Sequence, residues 1–492
     1  MLSNLRMKIT RGHSPSRHQE ITYRRSLVLA AVMSHAIALF SAAFWAGECE
    51  AAPQQSVTAD LEALVSAQFD HVGSGGVVLV VRNGETLLRR AYGMAHLELG
   101  VPMTAEHVLG TGSITKQFTS VAILQLVAQG KLALDDDVRR HLPQFQSYGK
   151  RITIEQLLSH TSGYPNIVDR PDFETLSRRE MSLDQLMAST RDMPLHFEPG
   201  QGFRYSDSGY FALGAVIEAV SGQKYASYLE EELFRPLGME HTWYADDARI
   251  IPGRAAGYSL RDGKVINAPH MSMTIPHAAG AVFSTVDDLA RWDQALRSLE
   301  VLPKALLERA WSVRKLPDGT TSGYGLGWKV CSLAGHRTIE HGGFVNGFGA
   351  QLLRLPDDDL TIAILVNNDG DIPDAGALAR RIARWLLTGS PIPAYQKLTP
   401  PQRAALVGTY AISGEDHRVI SARDEGLFSK RSQGPEFQLY ALSPSEFSIA
   451  GDDDALVFRF TIQGNGLASS VRPFLRCEPS DEAVRVERAP ER

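Results

Sequence analysis

The chain has 492 residues, a formal net charge of -6, 43% hydrophobic and 22% charged residues. Such a length calls for two or three domains, and the composition is that of a globular protein with enough apolar material for a large core. Binding nucleic acid needs clustered cations; the sequence has no such tract, which excludes nucleic acid as a partner.

In the first segment, Arg11, Arg17, Arg24 and Arg25 precede an apolar stretch from Leu27 to Trp45, and the small residues Ala51 and Ala52 follow. A positive flank, an apolar run and a small-residue exit are the layout of a secretory signal, and "YRRSLVL" is similar to a twin-arginine signal. The run is nearly long enough to cross a bilayer, so an uncleaved anchor is the alternative. Residues 1–52 are therefore expected to be a signal peptide or membrane anchor. Either way the remainder is expected to be exported, periplasmic or extracellular, with membrane contact only through this segment.

A second domain is expected over 53–390. "VVLVVR" (Val77 to Arg82), the turn pair Asn83-Gly84 and "ETLLRRAYG" predict a hairpin from Val77 to Tyr92. Helices are expected at Ser113 to Gln129, Thr153 to Ser159, Ser182 to Thr190, Gly209 to Val220 and Tyr225 to Leu233. Gly130, Gly163 and Gly222 stand where three of them would stop in a left-handed conformation. Tyr324 to Val330, Ala350 to Pro356 and Leu360 to Asn367 read as neighbouring antiparallel strands, and Ala375 to Leu387 as a closing helix. Strands first and last with helices between predict an α+β domain whose sheet is completed by both chain ends. Beyond the Pro-rich stretch after Gly389, short strands separated by turns predict a small antiparallel barrel or sandwich over 391–492.

Three stretches carry chemistry. In "GTGSITKQFTSVAILQLV" (Gly110 to Val127), Ser113 stands at a helix start and Lys116 lies one turn on, on the same face. The helix start offers free backbone N–H groups and a positive dipole end, which can hold an oxyanion. A buried lysine tends to lose its proton and becomes a base beside a hydroxyl nucleophile. "FRYSDSGYFALG" (Phe203 to Gly214) puts Tyr205 at a loop-to-helix junction, where a cation could lower its pKa from about 10 and let it relay a proton. "IEHGGFVNGFGA" puts His341 before Gly342 and Gly343, which permit close approach of a substrate or another backbone near a sheet edge. Taken singly, each has a structural reading: an N-cap serine beside a snorkelling lysine, a packed tyrosine, a histidine beside a bulge.

In that order the three motifs resemble the serine β-lactamase and penicillin-binding protein superfamily, especially its class C-like branch of β-lactamases, D,D-peptidases, D-aminopeptidases and esterases. "YGMAHLELGVPMT", "ITIEQLLSHTSG", "FRPLGMEHTWY", "FSTVDDLARW" and "YGLGW" are similar too, and the likeness covers about Leu61 to Asn368. The resemblance implies a β-lactamase-like α+β fold with a helical subdomain, and it implies that the tail from Leu398 is a small β-barrel. It makes Ser113 the acylated nucleophile, Lys116 the acceptor of its proton, and Tyr205 the group that protonates the leaving group and later activates water. Asp207, His341, Gly342, Gly343 and Phe344 become substrate-binding positions, with the N–H groups of Ser113 and Phe344 as oxyanion donors.

Two positions depart from the pattern. Asp207 stands where asparagine is usual; an ionised aspartate only accepts hydrogen bonds, and beside Lys116 it favours the ammonium. An alternative register aligns Ser206-Asp207-Ser208 with the Ser-Asp-Asn element. His341 stands where lysine is frequent, so the substrate is expected either to lack a critical carboxylate or to bind better in mild acid. His160 is expected to be structural, hydrogen-bonding a loop. No metal-binding or phosphate-loop motif occurs, so neither a metal nor a cofactor is expected. The three cysteines, Cys49, Cys331 and Cys477, fit no zinc spacing or disulfide framework; a Cys331–Cys477 bond is open in an oxidising compartment, but two buried free thiols are expected. The function expected is an exported serine hydrolase cleaving a small-molecule or peptide substrate at an ester or amide (a β-lactam, D-amino-acid peptide or small ester). The alternative is a penicillin-binding sensor or scaffold that does not turn over.

Overall fold

In the computed structural model, residues 52–69, 73–370, 373–424, 426–449, 456–475, 477–479 and 482–486 are described. The expected signal or anchor lies outside them except for Ala52. Among the described residues no helix is long and apolar enough to cross a membrane. The chain divides into Met1–Asp60, whose described part opens the helix Ala52–Ser66, and Leu61–Arg492. The sheet, the remaining helices and the barrel all belong to the second unit.

The predicted hairpin forms as β1 (Gly76–Arg82) and β2 (Glu85–Tyr92), joined at Asn83 and Gly84, both at positive φ as a tight hairpin turn requires. Four later strands complete the sheet: β3 (Lys329–Leu333), β4 (His336–Val345), β5 (Phe348–Leu355) and β6 (Leu360–Val366). Their order is β3-β4-β5-β6-β1-β2, with Gly76 opposite Val366 and Arg82 opposite Leu360. The sheet is thus completed by both ends of the domain, as expected. Two differences arise. "YGLG" is a turn, and the strand starts only at Lys329, because Gly327 takes φ +95 there. β4 itself is an additional strand; its pairing with β3 ends at Glu340 opposite Lys329, so His341 to Gly343 lie on the edge beyond it, as expected.

The run "VVLVV" is apolar at every position because β1 is covered on both faces. Val77 and Leu79 enter one core with the helices, while Val78 and Val80 enter the other, as a period of two requires. The first core is built around α1 (Thr115–Ala128), α2 (Asp207–Ser221) and α3 (Val286–Arg297); the second lies under α4 (Ala375–Thr388). A hydrogen bond of 2.9 Å from Trp292 Nε1 to Gln117 Oε1 ties α3 to α1 inside the core. Helix α2 is capped by Ser206, whose Oγ accepts from the Gly209 N–H, and it stops at Gly222 with φ +77, as expected. The stop expected at Gly163 is instead made by His160 at φ +56, just past the helix Ile154–Leu158.

The tail is a closed barrel of eight antiparallel strands: β7 (Gly408–Ser413), β8 (Asp416–Arg423), β9 (Gly426–Arg431), β10 (Glu436–Ala441), β11 (Glu446–Ser448), β12 (Leu456–Ile462), β13 (Ala468–Leu475) and β15 (Ala483–Arg485). The short β14 (Glu478–Pro479) pairs only with β13. Tyr410, Phe447, Phe458 and Phe460 fill its interior. The expectation of two free thiols is corrected: Cys331 on β3 and Cys477 beside β14 are bonded, with Cα atoms 5.7 Å apart across 146 residues of sequence. A local sequence pattern cannot show a pairing made only when barrel and sheet meet. Because the bond closes so long a loop, its reduction is expected to cost about 2–4 kcal/mol. Scanning calorimetry with and without dithiothreitol checks this as a lowered unfolding midpoint.

Candidate active site

Gly112 to Ile114 form one 3-10 turn that feeds directly into α1. A Cβ on Gly343 would lie 1.8 Å from the Thr111 carbonyl oxygen and 3.0 Å from the Ser113 nitrogen. A Cβ on Gly112, at φ +50, would lie 2.3 Å from the Phe344 nitrogen. Only glycines permit this backbone-to-backbone contact. It brings the amides of Ser113 and Phe344, the expected oxyanion donors, into one neighbourhood.

Lys116 is wholly buried. Its Nζ lies 3.1 Å from Ser113 Oγ, 2.7 Å from Asp207 Oδ1 and 2.9 Å from the Ala279 carbonyl oxygen. The segment carrying Ala279 is pinned to α1: Thr119 Oγ1 donates to Ala278 O, and Thr115 Oγ1 accepts from the Val282 N–H. As an ammonium, Lys116 donates to all three partners. As a neutral amine it has two N–H groups for Asp207 and Ala279, leaving its lone pair for the Ser113 hydroxyl. Burial lowers its pKa below the usual 10.5, against the opposing pull of the Asp207 carboxylate. The favouring of the ammonium by Asp207 is therefore present, and desolvation outweighs it.

Tyr205 presents its ring to this amine, with Nζ 4.6 Å from the ring centroid. The residue is partly exposed, but its hydroxyl is buried and has no hydrogen-bond partner in bonding geometry. Burial first, and then the Asp207 charge, push the phenol well above 10, with Ser113 close enough to oppose them weakly. The lowering that a cation could have produced is not found: burial and the Asp207 carboxylate hold Tyr205 as a protonated acid.

His341 is buried. Its Nδ1 lies 2.6 Å from the Gly342 carbonyl oxygen and its Nε2 2.8 Å from the Tyr324 hydroxyl. A carbonyl only accepts, so Nδ1 donates to it and Nε2 accepts from Tyr324. Burial, then Lys329 and Lys116, hold its pKa well below 6.5. His341 is a neutral internal ring with both nitrogens engaged. The mild-acid half of the substrate expectation is corrected for that reason.

Ser113 and Asp207 open onto a cavity of about 370 Å³, with Phe344 at its exposed rim. Ile167, Phe173, Phe211, Met271 and Ile275 make its walls apolar. Among the described residues none of its lining side chains is a lysine, arginine or histidine, and Asp207 is its one charged group. Neither Gly342 nor Gly343 lines it: Gly343 admits the backbone at Thr111, and Gly342 offers its carbonyl to His341.

Several neighbours carry no recognisable signal in the sequence. Ala279 contributes only a carbonyl, which any residue possesses. Asn166 Oδ1 accepts from the Asp207 N–H at 3.2 Å. Tyr324 sits within "YGLGW", which reads as part of a strand and bears a family likeness but gives no sign of a contact with His341. His160 is structural, as expected: its Nδ1 accepts from the Ser206 N–H at 3.1 Å, and its ring packs 4.2 Å from that of Tyr205.

A family model described as Beta-lactamase matches residues 58–386. "Penicillin-binding protein 4*" of Bacillus subtilis (strain 168) is 28% identical over 402 residues, covering 76% of this chain and 87% of that protein. Among solved structures, the octameric penicillin-binding protein homologue from Pyrococcus abyssi superposes with a TM-score of 0.61 at 24% identity, over 87% of this chain and 99% of that one. A D-stereospecific amidohydrolase from Streptomyces sp. does so with a TM-score of 0.59 at 25% identity, over 68% and 99%.

Proposed function

The chain belongs to the beta-lactamase family, and from that premise we propose that it is an exported enzyme cleaving a small ester or amide through an acyl-enzyme on Ser113. That it is a serine hydrolase of the beta-lactamase-related type follows from the family and its relatives; the intermediate, the substrate and export are the proposal. The observation that carries it is the buried Lys116, 3.1 Å from Ser113 Oγ with its two remaining hydrogen-bonding directions occupied by Asp207 and Ala279.

In this mechanism the neutral Lys116 takes the Ser113 proton as Oγ bonds to the substrate carbonyl carbon. The developing oxyanion is held by the N–H groups of Ser113 and Phe344. Tyr205, a protonated acid in a dry setting, gives its proton to the leaving group as the carbonyl–heteroatom bond breaks. The Lys116 ammonium stabilises the resulting phenolate and returns a proton to it. Water then attacks the ester on Ser113, its proton passing to the same amine–phenol pair, and Ser113 recovers its hydrogen.

The apolar walls and the absence of a lining cation favour an acyl portion that is apolar and either uncharged or amine-bearing. A D-amino-acid amide fits, and the Streptomyces neighbour supports it; a β-lactam carboxylate would meet no fixed cation. Export is supported by the N-terminal layout and by the Cys331–Cys477 bond, since disulfides persist in oxidising compartments.

Intact-mass spectrometry with a fluorophosphonate, a p-nitrophenyl ester, a D-amino-acid amide and a β-lactam tests the proposal. A phosphonyl adduct on Ser113 together with ester or amide turnover supports it, and no adduct with any probe removes it. A lasting β-lactam adduct without turnover favours the sensor instead, for which the contact of Asp207 with Lys116 is the specific support. Asp207→Asn removes the charge that stabilises the ammonium, so the Lys116 pKa falls. The acidic limb of kcat/KM is expected to move down by about one pH unit or more, and β-lactam acylation to rise, because the amide can donate to an acylamino carbonyl. Stopped-flow acylation from pH 5 to 9 checks both.

A further inference from the structure

The barrel meets the sheet domain beside Tyr324, the hydrogen-bond partner of His341. Cys477 is bonded to Cys331 on β3. The next residue, Glu478, lies 3.0 Å from Lys329 Nζ, and the two side chains are only 16% and 14% exposed. Gly323 takes φ +66, and a Cβ there would lie 2.3 Å from the Cys477 carbonyl oxygen, so the barrel backbone rests directly on the residue before Tyr324. Lys329 bridges back to Tyr324 across the tight turn, and Tyr324 donates to His341. A further ion pair, Arg472 to Asp318 at 3.2 Å, secures the same junction.

We propose that Glu478, delivered by the barrel, is a positioning residue of the active site: paired with Lys329 behind Tyr324, it cancels a cation that otherwise bears on the Ser113–Lys116–Tyr205 proton network. The inference rests on the assignment of those three residues as proton carriers. Lys329 lowers the proton affinity of Lys116, His341 and His160, while Glu478 raises that of Lys116, Tyr205 and Tyr324. The other titratable groups around the network are Asp207 and Tyr210 on α2, His160 after the helix Ile154–Leu158, and Tyr324 and His341 beside β3. The two histidines are held neutral by burial and the tyrosines are held protonated by it, so Asp207, Lys329 and Glu478 are the fixed charges that set the working pH. The barrel thereby becomes part of the enzyme's electrostatics, and the disulfide holds its carboxylate in register.

The test is the pH profile of kcat/KM on a p-nitrophenyl ester for the full-length protein and for Glu478→Gln, Lys329→Met and the double variant. Glu478→Gln leaves Lys329 uncompensated, which disfavours the Lys116 ammonium, so the acidic limb is expected to move to lower pH by about half a unit or more. Lys329→Met leaves Glu478 uncompensated and is expected to move the limb upward. The double variant is expected to return it close to the parent. A purely structural role lowers kcat in both single variants without opposite shifts; that result, or unmoved limbs, overturns the proposal. Should Glu478→Gln fail to fold, Lys329→Met decides alone by whether its limb rises. Fluorophosphonate labelling of Ser113 keeps the two questions apart. An unlabelled parent protein defeats the hydrolase assignment, whereas normal labelling with unshifted limbs defeats only the role of Glu478.

Discussion

Lys116→Met is expected to lower kcat/KM on a p-nitrophenyl ester by about 10³-fold or more, within the range that a positioned proton acceptor contributes. Methionine has nearly the same length and suits a buried position, so the helix core around Phe118 and Trp292 is kept. What disappears is the lone pair 3.1 Å from Ser113 Oγ and the two donors that satisfy Asp207 and Ala279. Lys116→Arg separates base from cation. Arginine keeps the charge beside Asp207 but does not deprotonate in proteins. It is expected to be as inactive as methionine, with Ser113 unlabelled by fluorophosphonate in both. An active arginine variant of normal thermal stability means that Lys116 serves as a fixed positive charge, and the proposed proton path is then wrong.

Acid is expected to destabilise the protein from about pH 6.5 downward, before most of its carboxylates titrate. His160 and His341 are buried and His277 is partly so, and all three are held below their usual 6.5 chiefly by desolvation, His277 at about 4. Linkage sets the sign. Once unfolded, each ring takes up a proton below about pH 6.5, whereas the folded ring stays neutral, so folding loses free energy as pH falls. Each histidine costs about 1.4 kcal/mol per pH unit in that window, and the three together about 4. The loss runs from about pH 6.5 down to the folded-state value of each ring, near 4 for His277. Chemical denaturation at pH 7.5, 6.5, 5.5 and 4.5 checks it as a falling midpoint. A flat midpoint across that range means that the rings are protonated in the folded protein. His277→Gln tests one ring alone and is expected to flatten its share of the slope.

The legible parts of the chain are those whose physics is local. Asn83-Gly84 makes its turn because both positions need positive φ. "VVLVV" forms a strand because an unbroken β-branched run suits burial on both faces. α1 is legible from a run apolar all round and from a serine and lysine one turn apart. Less legible is anything set by the meeting of distant segments. β4 does not read as a strand because "HGGFVNG" breaks the apolar alternation, and Gly343 answers to the backbone at Thr111 and Ser113 rather than to its own neighbours. His341 reads in sequence as a substrate-binding group; burial against Tyr324 makes it a neutral structural ring.

The sequence by itself determined the family, the hairpin, the main helices, the all-β tail and the choice of Ser113, Lys116 and Tyr205 as candidate site residues. These depend on residue type and short spacing, which act within a few turns of chain. Tertiary structure decided their protonation: Lys116 lowered although it touches Asp207, Tyr205 raised although it faces an amine, and His341 neutral. It also decided the Cys331–Cys477 bond and the placing of Glu478 beside Lys329. Desolvation and charge–charge energies depend on which distant groups share a small volume, and that proximity is fixed only when sheet, helices and barrel close on one another.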